Sequence, residues 1–163
     1  MDEDETLNIE EIIRMGQYIE EDLARMTKLP LILGYPQAFR SLKSIAKDKG
    51  GGRCGILNII GVISSGHYAL CGIGNHIPEL IFGVVGKDDL QEIWRTSSVI
   101  NELRNNLPGN LDGVCGRCIL RFYCQGYCVA NNYYRSRNLG SSFWLCDLAE
   151  KAGLFPGTRL IQG

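Results

Sequence analysis

Four of the chain's seven cysteines fall within fourteen residues, CGRCILRFYCQGYC at 115–128, and the other three are Cys54, Cys71 and Cys146. A thiol run this dense constrains the fold more than any hydrophobic pattern. Each cysteine needs a disulfide partner, a metal or a buried place, and seven cannot all pair within one chain. The N-terminal stretch MDEDETLNIEE lacks the basic start and apolar run of a signal peptide. The expected compartment is therefore the cytoplasm, where thiols stay reduced and clustered cysteines read as metal ligands. Thiolates select zinc, copper(I) or iron–sulfur clusters. A tetrahedral zinc takes four protein ligands, and so does a four-iron cluster. Seven cysteines therefore divide most economically into a four-cysteine site and a three-cysteine site, the second completed by another side chain, a water or a substrate. A zinc ribbon wants two C-x2-C pairs. Only Cys115 and Cys118 form one, and the next gaps, to Cys124 and then to Cys128, do not repeat it. Spacing alone thus favours clusters over zinc without closing the choice.

The remaining composition narrows the class. With 163 residues, 45% hydrophobic and 21% charged, the chain has the make-up of a soluble globular protein with room for a real core. No apolar run approaches the roughly 18 residues of a membrane span, and GILNIIGVI is interrupted by Asn58 and Gly61. A pI near 6.1 and few basic residues argue against nucleic acid. Charge is uneven: residues 1–27 carry nine acidic and two basic side chains, residues 115–163 six basic and two acidic. A positive C-terminal region suits a site carrying several thiolates; ordinary surface charge is the competing reading.

Periodicity and turn chemistry predict the elements. Ile9, Ile12, Tyr18, Ile19, Leu23 and Met26 give an amphipathic helix over 8–27, with Asn8 and Glu11 as a capping box and Leu7 stapling onto Ile12. LPLILGYP (29–36) reads as a short strand, and 37–49 as a second helix ended by Gly50–Gly52. Those glycines follow a helix rather than a strand, the wrong order for a phosphate-binding loop. A β-hairpin is expected from strands near 56–63 and 67–71 around Ser64–Gly66, placing Cys54 and Cys71 at its open end. Residues 88–109 read as a helix capped by Asp88 or Asp89 and stopped by Pro108–Gly109. Short helices follow near 127–136 and from Cys146 to about Ala152. The fold class is α+β. His67 and His76 are candidate ligands for an open metal position, against the plainer reading of structural or surface histidines. Asp88 and Asp89 are better caps than catalysts. NNYYRSR (131–137) reads either as the wall of a peptide groove or as a helix packing its tyrosines beneath the cysteine loop.

The complete spacing is more specific than its parts: Cys54-x11-Gly66-x4-Cys71, then Cys115-x2-Cys118-x5-Cys124-x3-Cys128, then Cys146. It resembles the SPASM domain of radical S-adenosylmethionine enzymes, over about residues 54–150. Gly74–Asn75, DLQEIW at 89–94 and CQGYC at 124–128 resemble phrases common in such domains, and GLFPGTRL at 153–160 the tails of some peptide-modifying members. The resemblance implies two auxiliary [4Fe–4S] clusters. Cys115, Cys118, Cys124 and Cys146 would hold the second, and Cys54, Cys71 and Cys128 the first. Some members carry an eighth cysteine shortly after the first; CGILNII has none, so the first cluster would keep an open or non-cysteine position.

One departure bears directly on activity. The radical core of these enzymes carries C-x3-C-x2-C, whereas here Cys124-x3-Cys128 is followed by Asn131. The chain alone is therefore not expected to perform the radical chemistry. Residues 1–50 read as the last helix–strand–helix of the partial (β/α) barrel that houses such a core, and 51–163 as the SPASM domain. The chain is then a fragment of a longer enzyme or a protein working beside a separate catalytic chain, with S-adenosylmethionine bound only by that missing core or partner. The expected role is electron transfer and substrate binding for an enzyme that modifies a ribosomal peptide or protein. An electron donor such as a flavodoxin or ferredoxin would serve it. A zinc-stabilised binding module and a stand-alone iron–sulfur electron carrier are the alternatives.

Overall fold

A computed structural model describes residues 6–31, 34–47 and 54–162. Helix α1 (Ile9–Tyr18) begins with the expected capping box: the Glu11 amide donates to Asn8 Oδ1 at 3.0 Å and the Asn8 amide to Glu11 Oε2 at 2.8 Å. The helical path continues through a π-helical turn, Ile19–Leu23, into α2 (Ala24–Met26). Gly16 allows the close crossing that seats this helix, because a Cβ there would lie 2.5 Å from the Tyr35 ring. Tyr35 is buried and its hydroxyl donates to the Ile13 carbonyl at 3.1 Å.

The strand expected over 29–36 is not formed at residues 29–31 or 34–36, and residues 32–33 lie outside the described residues. Pro30 and Pro36 remove ladder donors, and the three-stranded sheet is built elsewhere in the chain. The helix expected over 37–49 is also shortened. A 3-10 turn, Gln37–Phe39, is followed by extended backbone at Arg40 and then by α3 (Leu42–Lys47). The break is pinned by Glu20, which takes the Arg40 guanidinium at 3.3 Å and the Ser41 amide at 3.0 Å. The Gly50–Gly52 boundary lies outside the described residues.

The expected hairpin is present with shorter strands, β1 (Gly61–Val62) and β2 (His67–Ala69), turning at Ser64–Gly66. A third strand, β3 (Ile81–Val84), completes an antiparallel sheet in the order β1-β2-β3, with Tyr68 opposite Gly83 and an irregularity between Tyr68 and Ala69. The single helix expected over 88–109 is two: α4 (Leu90–Thr96), capped by Asp89, and α5 (Ser98–Asn106), capped by Ser97. Ser97 ends one helix and starts the next because its hydroxyl accepts the Ile100 amide, an N-cap role that competes with helix continuation. Asp88 accepts the Val84 amide at 2.7 Å, so both aspartates serve the backbone.

The cysteine-rich half is helical in short pieces: α6 (Gly113–Gly116), α7 (Arg121–Cys124), α8 (Val129–Ser136) and α9 (Trp144–Lys151). The fold is thus α+β. Ile13, Tyr35, Ala38 and Phe39 from the first fifty residues join one buried cluster with Leu70, Leu80, Leu103, Val114, Val129 and Ala149. Among the described residues no helix is long and apolar enough to cross a membrane.

Candidate metal centre

The seven cysteines are free thiols, and the fold sorts them into two groups. Cys115, Cys118, Cys124 and Cys146 line one cavity together with Ala38, Leu120, Arg121 and Phe155. Three of them are buried, Cys115 at 7%, Cys118 at 6% and Cys146 at 4% exposure. Cys54, Cys71 and Cys128 form the second group: the Cys54 sulfur feels both of the others electrostatically and lies within reach of the Ile56 and Val129 amides. Among the described residues, no three His, Cys, Asp or Glu side chains are arranged around a single metal ion.

Each cysteine is positioned locally. Cys115 is on α6, whose entry at Gly113 has φ +53°, a left-handed value open to glycine. Ser142 ties that entry to the segment before Cys146: its hydroxyl donates to the Asp112 carbonyl at 2.5 Å and accepts the Cys115 amide at 3.2 Å. Cys118 faces inward from a short antiparallel bridge to Leu160. Backbone amides reach sulfur directly, Leu120 to Cys118 at 3.4 Å and Phe143 to Cys115 at 3.5 Å.

The loop Cys124–Cys128 separates the two groups. Gln125, Gly126 and Tyr127 have φ of 55°, 75° and 64°, three successive left-handed residues, two of them non-glycine. Such a run costs conformational energy and persists only where its surroundings enforce it. It sends Cys124 to the four-cysteine cavity and leaves Cys128 as the N-terminal flank of α8, in the other group. Asn132 fastens the loop from below: its amide donates to the Gly126 carbonyl at 2.8 Å and the Ser141 carbonyl at 3.2 Å. Tyr127 stands between the groups, 4.7 Å from the Phe143 ring, its hydroxyl pKa raised by burial and by both Cys124 and Cys128.

The protonation pattern follows from burial. Desolvation pushes the Cys54 and Cys118 thiols up, and the Cys124 thiol to about 12. Cys115 is the exception, lowered to about 7 chiefly by a hydrogen bond from the Cys146 thiol, whose own pKa rises in consequence. Arg121 and Arg159 supply positive charge beside Cys118. Arg121 also has a buried Nε–H without a hydrogen-bond partner in the cavity wall, while its Nη1 donates to the Gly116 carbonyl at 2.8 Å. Four thiols, an unspent donor and a local cation make a donor set that fits an anionic sulfur-ligated group.

His67 shares a 2.9 Å hydrogen bond with Ser65 in the hairpin turn, and His76 is exposed beside Ile77 and Asn131. Of the two tyrosines expected beneath the loop, Tyr133 packs against the core and Tyr134 is 62% exposed. Asn132, Ser142, Tyr127 and Arg159 were not singled out as site residues by sequence reasoning. No protein-family model, curated protein or solved structure gives a significant match to the chain.

Proposed function

We propose that the chain is an auxiliary iron–sulfur domain of the SPASM type, serving a radical S-adenosylmethionine enzyme that modifies a peptide or protein. The observation that carries this reading is the partition of the cysteines. The four assigned by the resemblance to one cluster line one cavity, and the three assigned to the other lie in one another's electrostatic reach. Cys115, Cys118, Cys124 and Cys146 would hold one [4Fe–4S] cluster, and Cys54, Cys71 and Cys128 the other with one position left for a different ligand. When bound, such clusters supply one-electron acceptance and donation.

The chain's own residues supply the setting. Leu120 and Phe143 amides donate to sulfur, drawing negative charge off Cys118 and Cys115. Arg121 and Arg159 offset the charge that remains. Burial excludes water and pushes the Cys54, Cys118 and Cys124 thiols up, so metal binding there would release protons. The radical step and S-adenosylmethionine belong to a core that this chain does not supply, since it has no C-x3-C-x2-C.

The test is iron, acid-labile sulfide and zinc content after anaerobic purification and reconstitution. The expected result is about eight iron and eight sulfide per chain, from two four-iron clusters. One or two zinc with no sulfide would replace this reading with a zinc-stabilised binding module.

A further inference from the structure

An open groove of about 690 Å³ lies between the start of α1 and one side of α9. Helix α9 buries Leu145, Cys146 and Ala149. Trp144 lines the groove instead, with Leu148 and Lys151 one and two turns further on, a single stripe along the helix. The opposite wall is Leu7 and, from α1, Ile9 and Ile12. Leu7 is 50% and Leu148 45% exposed, so the fold leaves this groove uncovered. Two cations stand beside it. Arg135, from α8, holds its guanidinium 4.6 Å from the centre of the Trp144 ring, and Lys151 ends α9. Among the described residues neither cation has a carboxylate partner, and no carboxylate lines the groove. Neighbouring acids are committed elsewhere: Glu11 accepts the Asn8 amide, Glu150 takes Arg117, and Asp147 Oδ1 lies against Gly113.

Apolar walls with a few placed polar groups, in a concave space of this size, have the make-up of a small-molecule site. The chemistry of the walls specifies what fits. Branched aliphatic side chains and an indole take an apolar tail. An unpaired guanidinium and an ammonium take an anionic head, and the guanidinium's planar fork matches a carboxylate with two parallel hydrogen bonds. The Trp144 ring already holds Arg135 at the groove, so little side-chain freedom is lost when an anion arrives. We infer that this groove binds a small amphipathic carboxylate, an acyl or aryl chain whose head pairs with Arg135 and Lys151 and whose tail lies between α1 and α9. Binding is reversible and forms no covalent bond. None of the seven cysteines lines the groove, so the inference does not depend on the iron–sulfur reading.

The test is equilibrium dialysis of radiolabelled decanoate against the full chain, with decanol and acetate as competitors. Decanoate is expected to bind. Decanol has the tail without the charge and acetate the charge without the tail, so each should compete less well than unlabelled decanoate by roughly tenfold or more. Arg135→Gln combined with Lys151→Gln, and separately Leu148→Asp, should each weaken decanoate by roughly tenfold or more. Arg135, Lys151 and Leu148 are exposed, so these variants should keep the wild-type urea midpoint within about 0.3 M. Lys87→Gln removes an exposed positive charge outside the groove and should bind as the wild type does. Wild-type affinity in the double variant and in Leu148→Asp would overturn the site, and so would decanol competing as well as decanoate. Failure of the wild type to bind would also overturn it. If binding then appeared when Asp2→Ser, Glu3→Ser, Asp4→Ser and Glu5→Ser were combined, the groove would belong to the chain's own acidic residues, which precede Thr6 at its edge. A wild-type dimer that Leu148→Asp dissolves, with no decanoate bound, would give the groove to a second copy of the chain.

Discussion

Asn132 is the side chain through which the cysteine loops hold one another. It is 3% exposed and its amide bridges the Gly126 carbonyl, inside the Cys124–Cys128 loop, to the Ser141 carbonyl ahead of Cys146. In Asn132→Ala both carbonyls lose their donor. A buried acceptor left unpaired costs roughly 1–3 kcal/mol. The Gly126 bond is buried and the Ser141 bond partly so, which sets the two losses at about 2 and about 1 kcal/mol. Against this, Asn132 Oδ1 is buried without a partner, so its removal returns about 1 kcal/mol. The expected net loss is about 2 kcal/mol, a fall of about 1 M in the urea midpoint for a chain of this size. The assay is anaerobic urea unfolding followed by circular dichroism, on the reconstituted chain and its metal-free form. Asn131→Ala is the internal control, because Asn131 Oδ1 is likewise buried without a partner and its removal should be neutral or slightly stabilising. An Asn132→Ala midpoint within about 0.3 M of wild type, or an equal cost for Asn131→Ala, would refute the bridging argument.

Four further outcomes are expected. Gly113→Ala places a Cβ 2.7 Å from Ser142 Oγ at a φ of +53°, and should destabilise by about 2 kcal/mol or more in the same urea assay. Arg121→Met should lower the midpoint potential of a bound cluster in redox titration, since it removes a cation beside Cys118 and leaves the more negative reduced state less stabilised; Arg117→Met should shift it less, because Arg117 is exposed and paired with Glu150. Cys146→Ser should cost about four iron per chain and leave the other cluster, whereas equal loss of both would deny two independent sites. Metal-free stability should rise from about pH 7 to pH 9, where Cys115 is ionised in the folded chain and still protonated in the unfolded one, and fall as pH rises from 9 toward 12. Cys124 ionises near 9 when unfolded but only near 12 when folded, and Cys54 and Cys118 shift in the same direction. Stability that stays flat above pH 9 would show that these thiols are not desolvated.

What could be read beforehand was whatever rests on local chemistry. The Asn8–Glu11 capping box, the Asp89 cap and the Ser64–Gly66 turn each depend on residues within four positions of one another, and each formed. The strand expected over 29–36 is absent at residues 29–31 and 34–36, where a strand is a relation to a neighbour and Pro30 and Pro36 outweigh the apolar composition of LPLIL. The single helix over 88–109 failed at Ser97, whose capping preference won over apolar periodicity. At the site, cysteine spacing carried the ligand candidates, but the left-handed backbone at Gln125 and Tyr127 was invisible, since neither residue type announces a positive φ. Asn132 and Ser142 were equally hidden, because their partners lie in loops that only the folded chain brings together.

Arg159 is the other long-range fastening. Its guanidinium donates to the Ala38 carbonyl at 3.2 Å and the Arg40 carbonyl at 3.0 Å, across about 120 residues of chain. Phe155 meets the Phe39 ring edge-on at 5.7 Å in the same region. During synthesis, residues 37–40 emerge long before the segment that satisfies them. Contacts of such large sequence separation are slow to form. Until then Ala38 also has no thiol-lined cavity to cover. The residues that roof the four-cysteine cavity thus come from both sides of a closure that the ribosome completes late. Anything that bound there before residue 159 was made would meet an unroofed cavity.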